Sequence, residues 1–163
     1  MSPLFGLMNV KGVVPMLRPT KILVPTDFSE YSDRALNQAL DIAKQYNAKV
    51  YLFHAIHLTI HRCAIDYSIS DDMVEEIKRQ ALDSAGNSLK RQLEKFPKSR
   101  EVEVHTDIGT GITYDAILQE AKDKEIDLIV IASLGQSGIA KYLIGGVARN
   151  VLKGAQCPVL LTR

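Results

Sequence analysis

The stretch from Ile131 to Ala148 reads Ile-Ala-Ser-Leu-Gly-Gln-Ser-Gly-Ile-Ala-Lys-Tyr-Leu-Ile-Gly-Gly-Val-Ala, and it is the part of the chain best suited to holding an anion. Gly135 comes soon after an apolar run, where the missing Cβ lets backbone approach a ligand closely. Gly145 and Gly146 stand just ahead of a helical pattern, where the first backbone N–H groups of the helix are open to negative charge. Together these would form a phosphate cradle. The same glycines, with Gly138, would equally shape a tight loop that holds nothing. The second place is Pro25-Thr26-Asp27, where a carboxylate follows another apolar run. Asp27 could face a ligand or simply cap the next helix.

Other reactive types are scattered. His54, His57 and His61 lie near Cys63 and Asp66, but the spacing fits no zinc pattern, so a solvated loop is expected and no metal site. No serine, histidine and acid arrangement is legible. Lys141 could reach a phosphate or point to solvent. Cys157, just before Pro158, reads as a small buried residue.

These residues need a scaffold, and the composition says which kinds are excluded. A chain of 163 residues is one domain, and 46% apolar content is enough for a core, which excludes disorder. A net charge of +1 disfavours nucleic acid and acidic membrane surfaces as partners. Two cysteines exclude a disulfide scaffold and fit a reducing compartment. No apolar run approaches the ~20 residues of a membrane span. Met1 to Pro19 is apolar but interrupted by Lys11, Gly12 and Pro15. It reads as an N-terminal leader over residues 1–19, strapped to the domain or partly disordered, rather than a signal peptide. A cytoplasmic location is expected.

Lys21 to Pro25 reads as a strand buried on both faces, followed by a helix capped by Ser29 or Ser32 and running to about Tyr46. Asn47-Ala48 is a turn, and Lys49 to Ala55 a second strand. Residues Ile56 to Ile69 read as a loop, and a helix from Asp71 to about Lys95 ends at Phe96-Pro97. Gly86 is expected to weaken that helix. Glu101 to Thr106 alternates as an exposed edge strand, Gly109-Thr110-Gly111 reads as a loop, and Tyr114, Ile117, Leu118 and Ala121 mark a helix. Asp127 to Ala132 is a strongly buried strand; a helix to about Lys153 and a closing strand from Cys157 to Thr162 finish the chain. Alternating strands and helices imply a parallel α/β sheet with right-handed crossovers. In such a sheet ligands sit beyond the carboxyl ends of the strands, which puts the Pro25 turn and the Ala132–Gly146 turn in one crevice if their strands are neighbours.

At these residues the chain resembles the universal stress protein family. The likeness runs from Lys21 to Arg163 and rests on Lys21-Ile22-Leu23-Val24-Pro25-Thr26-Asp27, Leu52-Phe53-His54-Ala55, Asp127-Leu128-Ile129-Val130-Ile131, the glycine segment and Pro158-Val159-Leu160-Leu161. It implies a universal stress protein domain over residues 20–163, with an open five-stranded parallel sheet of order 3-2-1-4-5, helices on both faces and a Rossmann-like architecture. It also implies an adenine-nucleotide-binding, cytoplasmic stress-response protein. The ligand would be ATP, or AMP or another adenine nucleotide, with Mg²⁺ carried by the nucleotide.

Asp27 would face the nucleotide beside Pro25 and Thr26, while Ala55 and Ile131 would line the base pocket. The family's nucleotide-binding branch carries Gly, two residues, Gly, nine residues, then Gly followed by Ser or Thr. Those positions fall on Ala132, Gly135, Gly145 and Gly146, of which Ala132 and Gly146 depart. Ala132 adds a methyl, and Gly146 removes a hydroxyl worth about 0.5–1.5 kcal/mol to a phosphate. The backbone N–H groups of Gly146 and Val147, with Ala148 beside them, remain, so weakened rather than abolished binding is expected.

Action through partner contacts that change with nucleotide state is expected rather than turnover. A dimeric interaction module with a decayed site, or a slow ATPase working through Asp27 and Mg²⁺, are the alternatives. The closing strand implies a homodimer through that edge, unless the leader covers it.

Overall fold

The structure is a computed structural model, and it describes residues 17–57, 70–135 and 144–163. Five strands form one parallel sheet: β1 (Lys21–Pro25), β2 (Lys49–Ile56), β3 (Val104–Thr110), β4 (Leu128–Ala132) and β5 (Val159–Thr162). Their order is β3-β2-β1-β4-β5, so β1 is central and pairs with both β2 and β4. The chain winds outward from β1 through β2 to β3, then crosses back to β4 and winds the other way. The carboxyl ends of β1 and β4 therefore flank the point where the winding reverses.

The helices are α1 (Glu30–Tyr46), α2 (Asp71–Glu94), α3 (Thr113–Asp123) and α4 (Gly146–Gly154), with a single 3₁₀ turn at Pro97–Arg100. Side chains alternate across each strand, so the sheet makes two cores. Ile22, Val24, Leu52 and Val130 pack with Ala35, Leu36, Ala39 and Leu40 of α1 and Leu89 of α2. Leu23, Phe53, Ile129 and Ile131 pack with Ile117 of α3 and with Ala148 and Val151 of α4.

Ser29 caps α1, accepting from the Ser32 amide, and the helix stops where Asn47 turns left-handed at φ 55°. Ser70 caps α2 in the same way, and Gly86 sits inside that helix without breaking it. Asp127 closes the amino end of the sheet, accepting from the Thr20 amide at 2.8 Å, the Thr20 hydroxyl at 2.6 Å and the Lys21 amide at 3.1 Å. Among the described residues no helix is long and apolar enough to cross a membrane.

The third strand differs from the sequence reading. It is an exposed edge strand as expected, but it runs Val104–Thr110 rather than Glu101–Thr106, and Gly109 and Thr110 lie in it rather than in a loop. The 3₁₀ turn consumes the residues before it, with the Glu101 amide donating to the Lys98 carbonyl. Gly109 pairs with Ala55 in the ladder and is small for reasons of space: a Cβ there would stand 2.6 Å from Cζ of Phe53. The turn glycine is Gly111, at φ 120°. The closing strand is also shorter than expected, starting at Val159. Most of the expected 56–69 loop, Lys141, and residues 1–16 of the expected leader lie outside the described residues.

Phe53 is 2% exposed and packed into the α3/α4-side core, so a methyl on Gly109 must push its ring. Gly109→Ala should lower stability by about 1–3 kcal/mol, read as an earlier urea midpoint with unchanged slope. An unchanged midpoint would mean that Phe53 moves freely.

Candidate functional site

Beyond the carboxyl ends of β1 and β4 lies a crevice of about 370 Å³, a size at the lower end of small-molecule sites. Pro25, Thr26 and Asp27 line it from the β1–α1 turn, and Ala55 from the end of β2. Ile131, Ala132 and Gly135 come from β4 and its following loop, and Gly145, Gly146, Val147 and Ala148 from the start of α4. The residues that the family resemblance implied for the nucleotide are thus each on one wall or another, while Gly138 and Lys141 lie outside the described residues. Ser32, Phe53, Thr113, Ile117, Ser133 and Leu134 complete the lining. Phe53 could have been found from Ala55 two residues on, since both face the same side of β2. Thr113 and Ile117 are one helical turn apart on α3 and carried no such signal.

The β1–α1 turn is held from several directions. Thr26 is 7% exposed and spends all its polar groups on protein. Its amide donates to the Phe53 carbonyl at 2.8 Å, and its own carbonyl lies 2.8 Å from Nδ1 of His54, which must therefore carry the proton. Its hydroxyl donates to Oε1 of Gln92 at 2.9 Å and accepts from the Phe28 amide at 3.0 Å. Thr26 therefore shapes the crevice while its hydroxyl is turned away into this network.

Phe28 sits at φ 65°, a left-handed conformation that costs a bulky residue roughly 1–3 kcal/mol, and its ring packs on the His54 ring at 4.4 Å. Between the two pinned residues stands Asp27. Its Oδ1 accepts from the Ser29 amide at 3.1 Å and the Ser29 hydroxyl at 2.6 Å. The capping role open to Asp27 in the sequence belongs to Ser29, which Asp27 braces.

The glycines divide by what they permit. A Cβ on Gly135 would lie 2.6 Å from Oδ2 of Asp27, so this glycine is what allows the β4 loop to pass the carboxylate. Gly145 donates its amide to the Ser133 carbonyl at 2.8 Å, and a Cβ there would be 3.3 Å from that same oxygen. The Ser133 amide in turn donates to the Thr162 carbonyl at 2.8 Å, tying this loop to β5.

Gly145 is the N-cap of α4 and has no side chain to cap with, while the first intrahelical amide is that of Arg149, donating to the Gly145 carbonyl at 2.9 Å. The amides of Gly146, Val147 and Ala148 therefore have no intrahelical acceptor, and all three residues line the crevice. Among the described residues nothing lies within 4 Å of a Cβ placed on Gly146. The Ala132 side chain packs partly against the core on the α1 side.

The remaining polar residues stand apart. His54 and His57 make hydrogen bonds to backbone carbonyls, of Thr26 and Gly111 respectively, while His61 and Cys63 lie outside the described residues. Among the described residues no group of three His, Cys, Asp or Glu is placed to hold a metal. Cys157 is half-buried, and burial pushes its thiol pKa up, away from a reactive thiolate. Burial and the neighbouring Asp107 likewise raise the Glu120 carboxyl on α3, with Lys124 partly opposing them.

The model of the universal stress protein family matches residues 19–163. Universal stress protein MJ0531 of Methanocaldococcus jannaschii is 31% identical over 143 residues, covering 88% of this chain and 81% of that protein. Universal stress protein YxiE of Bacillus subtilis is 31% identical over 150 residues, covering 88% and 98%. Among solved structures, MJ0577 of Methanocaldococcus jannaschii matches with a TM-score of 0.73 at 27% identity, over 90% of this chain and 96% of that one. A universal stress protein in complex with cAMP matches with a TM-score of 0.65 at 22% identity, over 90% and 98%. One from Archaeoglobus fulgidus in complex with dAMP matches with a TM-score of 0.56 at 21% identity, over 90% and 100%. At such identity these two likenesses bear on the fold alone.

The two glycine positions give opposite expectations for the same methyl. Gly135→Ala should displace Asp27 and lower stability by about 1–3 kcal/mol, whereas Gly146→Ala should stay within about 0.5 kcal/mol of wild type. Urea unfolding of the pair is the check, and equal midpoints would contradict the close approach at Gly135.

Proposed function

The chain belongs to the universal stress protein family, and from that premise we propose that it binds an adenine nucleotide, ATP with Mg²⁺, in the crevice between β1 and β4. The observation that carries this reading is the start of α4: three adjacent amides without intrahelical acceptors, on residues that share a crevice with apolar walls. Open amides at a helix start attract phosphate, and the helix dipole adds to them. Phe53, Ala55, Ile117 and Ile131 offer the apolar surface that a flat base needs, and Asp27 offers a carboxylate to the ribose or to a phosphate-bound cation. The complexes of the related folds with cAMP and dAMP name the same ligand class.

The residues present fit Mg²⁺ that arrives on the phosphates. Asp27 is the one carboxylate among the described residues lining the crevice, too few oxygens for a site of its own. The ion would neutralise phosphate charge beside that carboxylate. In this reading the protein acts in the cytoplasm through contacts that change with nucleotide state.

Calorimetry at millimolar ATP with Mg²⁺ should give saturable heat. Gly146→Ser, whose side chain has room, should tighten ATP by up to about tenfold and adenosine far less, because one hydrogen bond to phosphate is worth about 1.4 kcal/mol. Absence of heat would sink the reading, and an equal gain for both ligands would place the phosphates elsewhere.

We also propose a homodimer through β5. Among the described residues that strand pairs only with β4, and a two-fold axis would let its other edge pair with itself antiparallel. Val159 and Leu161 pack inward on the α4 side, while Leu160 is 37% exposed. Leu160→Asp should therefore yield a monomer by sedimentation at tens of micromolar. A wild type that is monomeric there, and dimerises only without residues 1–19, would show that the leader covers this edge.

A further inference from the structure

Gln92 is the one buried amide side chain facing the sheet from α2. It is 2% exposed, at a position in the stripe of Ala85 and Leu89 where an apolar residue would pack without desolvation cost. Its amide is bonded at both ends, with a longer contact of 3.5 Å from Nε2 to Ser32 Oγ. Nε2 donates to Oδ1 of Asp33 at 2.7 Å, and Oε1 accepts from the Thr26 hydroxyl at 2.9 Å.

The order of donors is forced. Asp33 accepts also from Nζ of Lys95 at 2.7 Å, and an ionised carboxylate only accepts, so the amide nitrogen must face it. The amide oxygen then faces Thr26 and accepts its single hydroxyl proton at 2.9 Å, while Ser32 Oγ, 3.0 Å from Thr26 Oγ1, gives its own proton to the Ser29 carbonyl at 2.8 Å. That leaves the lone pairs of Thr26 Oγ1 to accept from the Phe28 amide at 3.0 Å.

This chain of bonds pins the residues on both sides of Asp27. Thr26 is held on one side, and the left-handed Phe28 on the other. We propose that Gln92, which lies outside the crevice wall, is the positioning residue for the Asp27 carboxylate; the inference rests on the nucleotide reading above. It fixes the turn in the one conformation that leaves Asp27 beside Gly135 and braced by Ser29. Without the amide, the Thr26 proton would turn to Ser32 Oγ at 3.0 Å, and the hydroxyl that accepts from the strained Phe28 amide would be held by one partner fewer.

The test is a double-mutant cycle on the full chain, titrated with ATP and Mg²⁺. Gln92→Met should weaken binding about tenfold, Asp27→Asn at least as much, and the double variant no further than Asp27→Asn alone. Amide hydrogen exchange should quicken at Phe28 and Ser29 in Gln92→Met while β1 and β4 stay protected. If Gln92→Met does not fold, Thr26→Val removes the same link and should give the same cycle.

Wild-type affinity in Gln92→Met, an additive loss in the double variant, or faster exchange throughout the sheet would each overturn the proposal. A wild type that takes no ATP is a separate result from these. It overturns the nucleotide reading, and this inference with it.

Discussion

The carboxylate of Asp27 and the backbone of Gly135 meet with no room for a methyl group between them. This contact joins the turn after β1 to the loop after β4, and it exists only because the sheet order places those strands side by side. Everything else at the site serves to keep the approach close. Thr26 gives its amide, carbonyl and hydroxyl to protein partners, Phe28 accepts a strained left-handed backbone, and Ser29 holds one carboxylate oxygen while capping α1. Strain at one residue persists only where its surroundings over-determine it, and here they do.

The two helix layers divide the work. On one face α1 and α2 secure the β1 turn through Ser32, Asp33 and Gln92. On the other, α3 and α4 build the crevice itself, with Ile117 and Ala148 in the apolar core and the first amides of α4 at its mouth. The contrast between the faces follows from strand alternation. Leu23 and Phe53 point to the crevice side, whereas Val24 and Leu52 point to the α1 side. An apolar base and an anionic phosphate would meet surfaces of matching kind within one crevice.

Much of this was legible in the chain. Apolar runs such as Leu128–Ile131 are too short for helices and too continuous for exposed strands, so their burial in a parallel sheet follows from pattern. Gly135, Gly145 and Gly146 stood out by their places after a strand and before a helix, though the spacing alone fits a tight loop as well as a phosphate cradle. What was hidden depended on contacts far apart in sequence. Gln92 is an ordinary helix residue until it meets Thr26, 66 positions away. Gly109 reads as a turn residue until the Phe53 ring is seen to fill the space above it. The β3 boundary slipped for the same reason: alternation in Glu101–Val104 is a local pattern, and the 3₁₀ turn before the strand overrode it.

The central claim is that the first turn of α4 and the carboxyl ends of β1 and β4, with Ala55 of β2, form one receiving surface for an adenine nucleotide. Titrating isotope-labelled protein with ATP and Mg²⁺, while following backbone amide resonances, tests it most directly. The account predicts saturable shifts concentrated at Gly146, Val147 and Ala148, with smaller ones at Asp27 and Ala55, and little change on β3. Saturable shifts centred on β3 or on the outer part of α3, with the amides of Gly146 to Ala148 unmoved, would contradict it.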